Sequence, residues 1–229
     1  KARNQSGYGH QLFDSVRGVQ KRLRSNDDSA EATNSEGVLD FDDNGLLKIG
    51  TDAFLNESGT TMVIWNWKAG GTAVSNTDGT ITSSVSANTD AGFSIVTYTG
   101  NGTSSANYGH GLSSAPELVI TKKRSGTDGW AVFGSLLGVN KYLQLETTNA
   151  VTTASPYFPL ASSSLVNLGA TVSGFTNTSS STYISYVFHS VEGYSKLGTY
   201  TGNGSANGPF VFLGLKPSFI LIKRTDTAE

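Results

Sequence analysis

The residue set with the clearest chemical reading is Asp40-Phe41-Asp42-Asp43-Asn44-Gly45. Oxygen ligands alternating at Asp40, Asp42 and Asn44, with a glycine to permit the turn, match the opening of a calcium loop. The bidentate glutamate that such a loop carries at its twelfth position is missing, and Thr51 stands there. The competing reading is an acidic β-turn ahead of a strand at residues 46–49. The equivalent stretch near residues 162–164 carries no acids, which argues against a shared metal role. Calcium is therefore the one cofactor the sequence raises.

Other chemistry is harder to assemble. The three histidines, His10, His110 and His189, are isolated from one another, and His110 in Tyr108-Gly109-His110-Gly111 reads as a turn residue. No nucleophile elbow is present. Glycoside hydrolysis needs two carboxylates across a cleft, and neither Glu117 nor Glu146 has a partner that spacing suggests. The expectation is a protein that is not an enzyme, with no catalytic residues. Sugar binding on aromatic faces would draw on Trp130, Tyr157 and Phe158, although Trp130 lies in a strand pattern and reads as core. Asn-x-Ser/Thr triplets at Asn4, Asn56, Asn101, Asn177 and Asn203 permit glycosylation.

Composition narrows the class. Among 229 residues only 15% are charged, the net charge is −2, and 27 glycines accompany abundant Ser, Thr and Asn. There is no basic excess for nucleic acid and no basic amphipathic stretch for a membrane surface, and no apolar run nears the ~20 residues of a membrane-spanning helix. With no cysteine, disulfides and thiolate metal sites are excluded.

The elements that must position these residues are strands. The stretch 93–98 alternates apolar and polar, and 118–122 is β-branched behind Pro116. Residues 130–133, 142–145 and 183–188 follow, separated by Gly- and Asn-rich turns at 100–102, 126–129 and 177–181. The lone helical candidate, residues 11–24, is broken at Val16-Arg17-Gly18-Val19. In Met62-Val63-Ile64-Trp65-Asn66-Trp67, period two puts Val63, Trp65 and Trp67 on one face, with Ile184, Tyr186 and Phe188 as their counterparts; both read as central strands covered on two sides.

The chain also repeats itself. Tyr98-Thr99-Gly100-Asn101-Gly102 returns 102 residues later as Tyr200-Thr201-Gly202-Asn203-Gly204, and 116–123 is matched by 217–224. A different pairing joins the start to the middle: Phe13-Asp14-Ser15 matches Phe133-Gly134-Ser135 at an offset of 120, and 61–67 matches 182–188. The expected organisation is a back half-module at 1–68, a polar linker or docked strand at 69–91, a complete module at 92–191 and a front half-module at 192–229. The expected fold is all-β, with jelly-roll-like antiparallel β-sandwich modules in tandem. Because both ends fall at the same point of the repeat, the sequence reads as an internal piece of a longer array.

The strings Gly92-Phe93-Ser94-Ile95-Val96-Thr97-Tyr98-Thr99-Gly100-Asn101-Gly102, Gly109-His110-Gly111-Leu112, Lys141-Tyr142-Leu143-Gln144-Leu145 and Glu192-Gly193-Tyr194-Ser195-Lys196 carry a resemblance. With Phe13-Asp14-Ser15-Val16-Arg17-Gly18 and Trp65-Asn66-Trp67-Lys68, they resemble uncharacterised modules that recur in tandem in tail-fibre-like structural proteins of aquatic bacteriophages and in related bacterial surface proteins. The resemblance implies a fibrous role, extracellular or on the virion surface, and carries over no catalytic residue. The expected partner is the chain itself: strands around Tyr200, Phe219 and Leu221 of one subunit would complete the half-module holding Val63, Trp65 and Trp67 of the next, head to tail. The alternative is a carbohydrate-binding adhesin that recognises surface glycans.

Overall fold

The computed structural model describes residues 3–4, 7–42, 45–154, 158–168 and 174–226. The protein is all-β and its strand ladders are antiparallel, as expected from the alternating patterns. Strands β1 (Gln11–Leu12), β2 (Lys21–Arg24) and β3 (Ala32–Thr33) form one small sheet, and β4 (Val38–Phe41) pairs with β5 (Leu47–Ile49) as a hairpin. The single described helix, α1 (Ala53–Asn56), is capped by Asp52, whose Oδ1 accepts from Phe54 N at 3.0 Å. The broken pattern at 11–24 is thus two strands around a turn. Asp14 Oδ1 closes that turn by accepting from Val16 N and Arg17 N.

The main sheet has eight strands in the order β13-β12-β11-β10-β15-β8-β7-β6. They are β6 (Val74–Asn76), β7 (Ser83–Asn88), β8 (Phe93–Thr99), β10 (Leu118–Lys123), β11 (Trp130–Phe133), β12 (Lys141–Gln144), β13 (Thr152–Thr153) and β15 (Thr182–Phe188). The polar stretch 69–91 therefore contributes two strands to the sheet edge. Its low hydrophobicity fits an edge strand, where Val74 and Ser75 stay exposed.

Alternation along β8 and β15 sends side chains to two separate cores. Val96, Tyr98, Tyr183 and Val187 face inward, onto the short sheet of β9 (Asn107–Gly109) and β14 (Leu165–Asn167) and onto Leu112, Phe158 and Leu168. Tyr98 stacks between Tyr108 and Tyr183, with centroids at 4.5 and 5.2 Å. The phenols of Tyr98 and Tyr183 donate to the backbone oxygens of Thr176 and Gly174. Phe93, Ile95, Ile184, Tyr186 and Phe188 face the other way, and with Trp130 they are covered by Leu12, Val16 and Leu23 of the N-terminal sheet.

The small sheet reproduces one end of the large one. Gln11 faces Arg24 and Leu12 faces Leu23, as Ala131 faces Gln144 and Val132 faces Leu143. Lys21 faces Thr33 and Arg22 faces Ala32, as Lys141 faces Thr153 and Tyr142 faces Thr152. Every residue in these four pairs lies 120 positions before its counterpart. The bonds Ser25 N to His10 O and Asn34 N to Gln20 O recur as Leu145 N to Trp130 O and Ala154 N to Asn140 O. Arg3 N donates to Thr61 O at 2.8 Å, matching Arg124 N to Thr182 O at 2.7 Å, the bond that continues the β10–β15 ladder.

Candidate assembly site

The docking of the N-terminal sheet is fixed by buried polar groups. Trp130, fully buried, donates its Nε1–H to Arg24 O at 2.9 Å and to Asp27 O at 3.2 Å. Arg17 donates through Nε to Asp14 at 2.5 Å and through Nη1 to Glu31 at 3.2 Å, and Tyr186 OH donates to Asp14 at 2.8 Å. Burial disfavours the guanidinium charge, but Tyr186, Asp14 and Glu31 outweigh that and hold Arg17 ionised. Burial alone would raise the Glu31 pKa; Arg124 at 2.8 Å and Arg17 hold it below the usual carboxylate range. Lys122 Nζ donates to Asp28 O at 3.2 Å, and burial lowers its pKa to about 8 against the opposing pull of Asp128, Asp28, Glu146 and Asp27.

The same docking bonds recur at the C-terminal segment. Glu31 N donates to Arg124 O at 3.0 Å, and 120 residues on, Val151 N donates to Thr225 O at 2.8 Å. Lys122 Nζ reaches the loop at Asp28, and Lys223 Nζ reaches Thr147 O at 2.5 Å. The repeated Pro-x-x-x-x-x-Lys strings thus meet equivalent loops in equivalent ways.

Two segments depart from the expected strands. Residues 62–67 were expected to form a central strand; Met62 makes a β-bridge, but 64–67 belong to no strand, with Ile64, Trp65 and Trp67 all at least half exposed and Val63 half-buried. Tyr200, Phe219 and Leu221 sit in a C-terminal segment that also forms no strand, and Phe210 and Phe212 are 90% and 78% exposed. The reason is visible in the complete module. There β15 is a strand because β8 and β10 bond to its two edges, and among the described residues no strand pairs with 64–67. A ladder needs both partners before it repays ordering the backbone.

One side-chain contact within the chain lies near that register. Leu118 of β10 faces Phe188 of β15, and Ile120 faces Tyr186. Phe219, the counterpart of Leu118, rests with its ring 6.1 Å from Trp67 and 5.5 Å from Trp65, the counterparts of Phe188 and Tyr186.

The complete module also holds a polar clasp that the sequence reading registered only as glycosylation triplets. Asn177 Oδ1 accepts from Asn101 N at 2.9 Å and Gly102 N at 3.4 Å, and its Nδ2 donates to Thr103 O at 2.9 Å and Asn101 Oδ1 at 3.2 Å. Gly102 N also donates to Asn177 O at 3.1 Å. The signal was present as an Asn five residues before the paired threonines, Asn177 before Thr182 and Asn56 before Thr61.

The remaining candidates separate. Asp40 is exposed on β4, and Asp42 turns the hairpin by donating its N–H to Leu46 O and accepting from Gly45 N; Asn44 lies outside the described residues. Among the described residues no cluster of three His, Cys, Asp or Glu side chains is placed to hold a metal. Trp130 and Phe158 are 0% and 1% exposed, so neither ring offers a face to a sugar, and Tyr157 lies outside the described residues. Their burial follows from strand alternation at Trp130 and from stacking of Phe158 on Phe133 at 4.4 Å. Glu117 accepts from Ser190 N, and Glu146 accepts from Trp130 N, both as local structural bonds. His110 accepts from Leu112 N at Nδ1 and donates through Nε2 to Ser162 O, and burial lowers its pKa. Asn56, Asn101 and Asn203 are exposed, whereas Asn177 is buried with its amide nitrogen committed to two acceptors.

Among the described residues, no helix is long and apolar enough to cross a membrane. Comparison with curated proteins and with solved structures returns no match. A family model described as a domain of unknown function, DUF7483, matches residues 1–229, and the chain belongs to that family.

Proposed function

We propose that this protein is a non-enzymatic structural repeat unit of an extracellular filament or phage tail fibre, whose subunits join head to tail by complementing half-modules. The observation that carries the reading is that, among the described residues, no strand pairs with residues 64–67. Trp65 and Trp67 are the sequence counterparts of Tyr186 and Phe188 of β15, and within one chain Phe219 touches both rings without a backbone ladder forming, which leaves the strand edges open to a second copy. The exposed edge at 64–67 and the apolar run Phe219–Ile220–Leu221–Ile222 of the C-terminal segment are the two halves of one ladder. A contact between unlike patches on identical subunits propagates unless its rotation closes a ring. The resemblance to tandem modules of tail-fibre-like proteins supports the same role.

Electron microscopy of the purified protein with a native particle mass tests this. Filaments built of 24.1 kDa steps, lost when residues 192–229 are deleted, are the expected result. Monodisperse monomers at every concentration would overturn it and make a glycan-array screen the next experiment, since exposed indoles also suit sugar faces.

A further inference from the structure

We propose that the C-terminal segment is an autoinhibitory strap: residues 198–226 close over Trp65 and Trp67 of their own chain, and the strap swings away before chains exchange halves. The inference rests on the assembly reading above and names what holds that assembly back. The contacts of the strap reciprocate those of the complete module. Glu31 N of the N-terminal segment donates to Arg124 O of the complete module, and Val151 N of the complete module donates to Thr225 O of the strap. Lys122 Nζ bonds Asp28 O, and Lys223 Nζ bonds Thr147 O. A reciprocal pair of contacts of this kind closes on itself and does not propagate.

The bonds of Arg124 show how the strap fits. In the complete module this one residue donates its N–H to Thr182 O and accepts at its O from Glu31 N. At the N-terminal segment the same two bonds are divided: Arg3 N donates to Thr61 O, and Thr225 O accepts from Val151 N. Phe219 precedes Thr225 as Leu118 precedes Arg124, and its ring lies against Trp65 and Trp67. Yet the strap is held shut weakly. β10 ladders along β15 from Leu118 to Lys123, whereas 217–222 forms no strand and Ile220, Leu221 and Ile222 stay exposed. What favours closure is the tether. Leu197 N, bonded to Ser190 Oγ at 3.0 Å, anchors its base, and the short run from there to Phe219 gives an effective concentration on the order of 1 mM. A second copy competes for the edge only near that concentration, or once the strap is released.

The test is the double variant Trp67→Cys/Phe219→Cys in a chain that otherwise has no cysteine. Isotopically light and heavy preparations are mixed, oxidised and mapped by peptide mass. In dilute solution, at about 1 μM, light should join light and heavy should join heavy, with mixed pairs fewer than about one in a hundred. The oxidised chain should then stay a 24.1 kDa particle when concentrated, and should assemble only after reduction. Trp65→Cys/Leu221→Cys, the pair that corresponds to Tyr186 facing Ile120, repeats the test with Trp67 and Phe219 intact. Mixed pairs at their statistical half in dilute solution, or no cross-link in either variant, would overturn the strap. Filaments grown from the oxidised, internally linked chain would overturn its inhibitory role and leave the assembly reading standing. Wild-type and reduced chains that stay monomeric at every concentration would remove the assembly reading, and the inhibition with it, even where like-isotope pairs demonstrate the closure.

Discussion

Replacing Arg17 alone should cost far more than replacing its whole ionic network. Arg17 has no exposed side-chain surface, and its partners Asp14 and Glu31 are 3% and 12% exposed. Arg17→Leu leaves the Asp14 carboxylate buried beside Tyr186 without a cation, a class of change that costs about 3–5 kcal/mol. The complete module shows how the same position is built without charge: 120 residues on, Leu137 and Val151 stand where Arg17 and Glu31 do. In the triple variant Asp14→Asn, Arg17→Leu, Glu31→Val, the asparagine Oδ1 still closes the turn to Val16 N and Arg17 N. Its amide donates to Tyr186 OH, and the one charge that loses a partner, Arg124 on Glu31, is 21% exposed and can turn to water. The triple variant should recover to within about 1 kcal/mol of wild type, in line with buried ion pairs that are replaced as a unit. Urea unfolding followed by Trp130 fluorescence reads the effect, because that indole lies under the docked N-terminal sheet. A triple variant as unstable as Arg17→Leu would refute the reasoning, since the cost would then lie in lost packing rather than in stranded charge.

Three further outcomes follow from the same contacts. Lys122 has a folded pKa of about 8 against an ordinary 10.5, so above pH 8 the unfolded chain binds more protons and stability rises with pH. Burial raises the phenols of Tyr98, Tyr108, Tyr183 and Tyr186 above their ordinary 10, so above about pH 10 the sign reverses; melts across pH 7–11 should show a maximum near pH 9–10, with its rising limb flattened by Lys122→Met. Trp130→Phe removes the donor to Arg24 O and Asp27 O and should lower stability by about 2 kcal/mol in urea melts, with no change in far-UV circular dichroism. Asn177→Ala removes the amide bond to Asn101 Oδ1 while its backbone oxygen stays on Gly102 N, and should speed Asn101 deamidation severalfold by freeing that side chain, as peptide mapping would read.

Much of the β structure was legible because its residues obey a period of two. Phe93, Ile95, Ile184, Tyr186 and Phe188 alternate with Val96, Tyr98, Tyr183 and Val187, and each set fills its own core. The repeat offset of 120 read from Phe13 and Phe133 reappears as strand register. The same alternation in 63–67 did not yield a strand, because a strand is a pairing and the pattern names only one member of it. The stretch 69–91 read as a polar linker or a docked strand because edge strands need little apolar surface, and Ser83–Asn88 is paired on both sides. Asn177 was unreadable for another reason: its partners lie 74 to 76 residues away, and its triplet has a more familiar meaning.

The most direct test mixes two single-cysteine variants, Trp65→Cys and Leu221→Cys, in a chain that otherwise has no cysteine. Ile120 faces Tyr186 in the complete module, so complementing half-modules place these two positions opposite one another on different copies. Oxidation of the mixture should give a mixed disulfide dimer on a denaturing gel, while Val211→Cys mixed with Trp65→Cys should not. Chains that stay monomeric after oxidation, or that cross-link equally in both mixtures, would contradict assembly by half-module exchange.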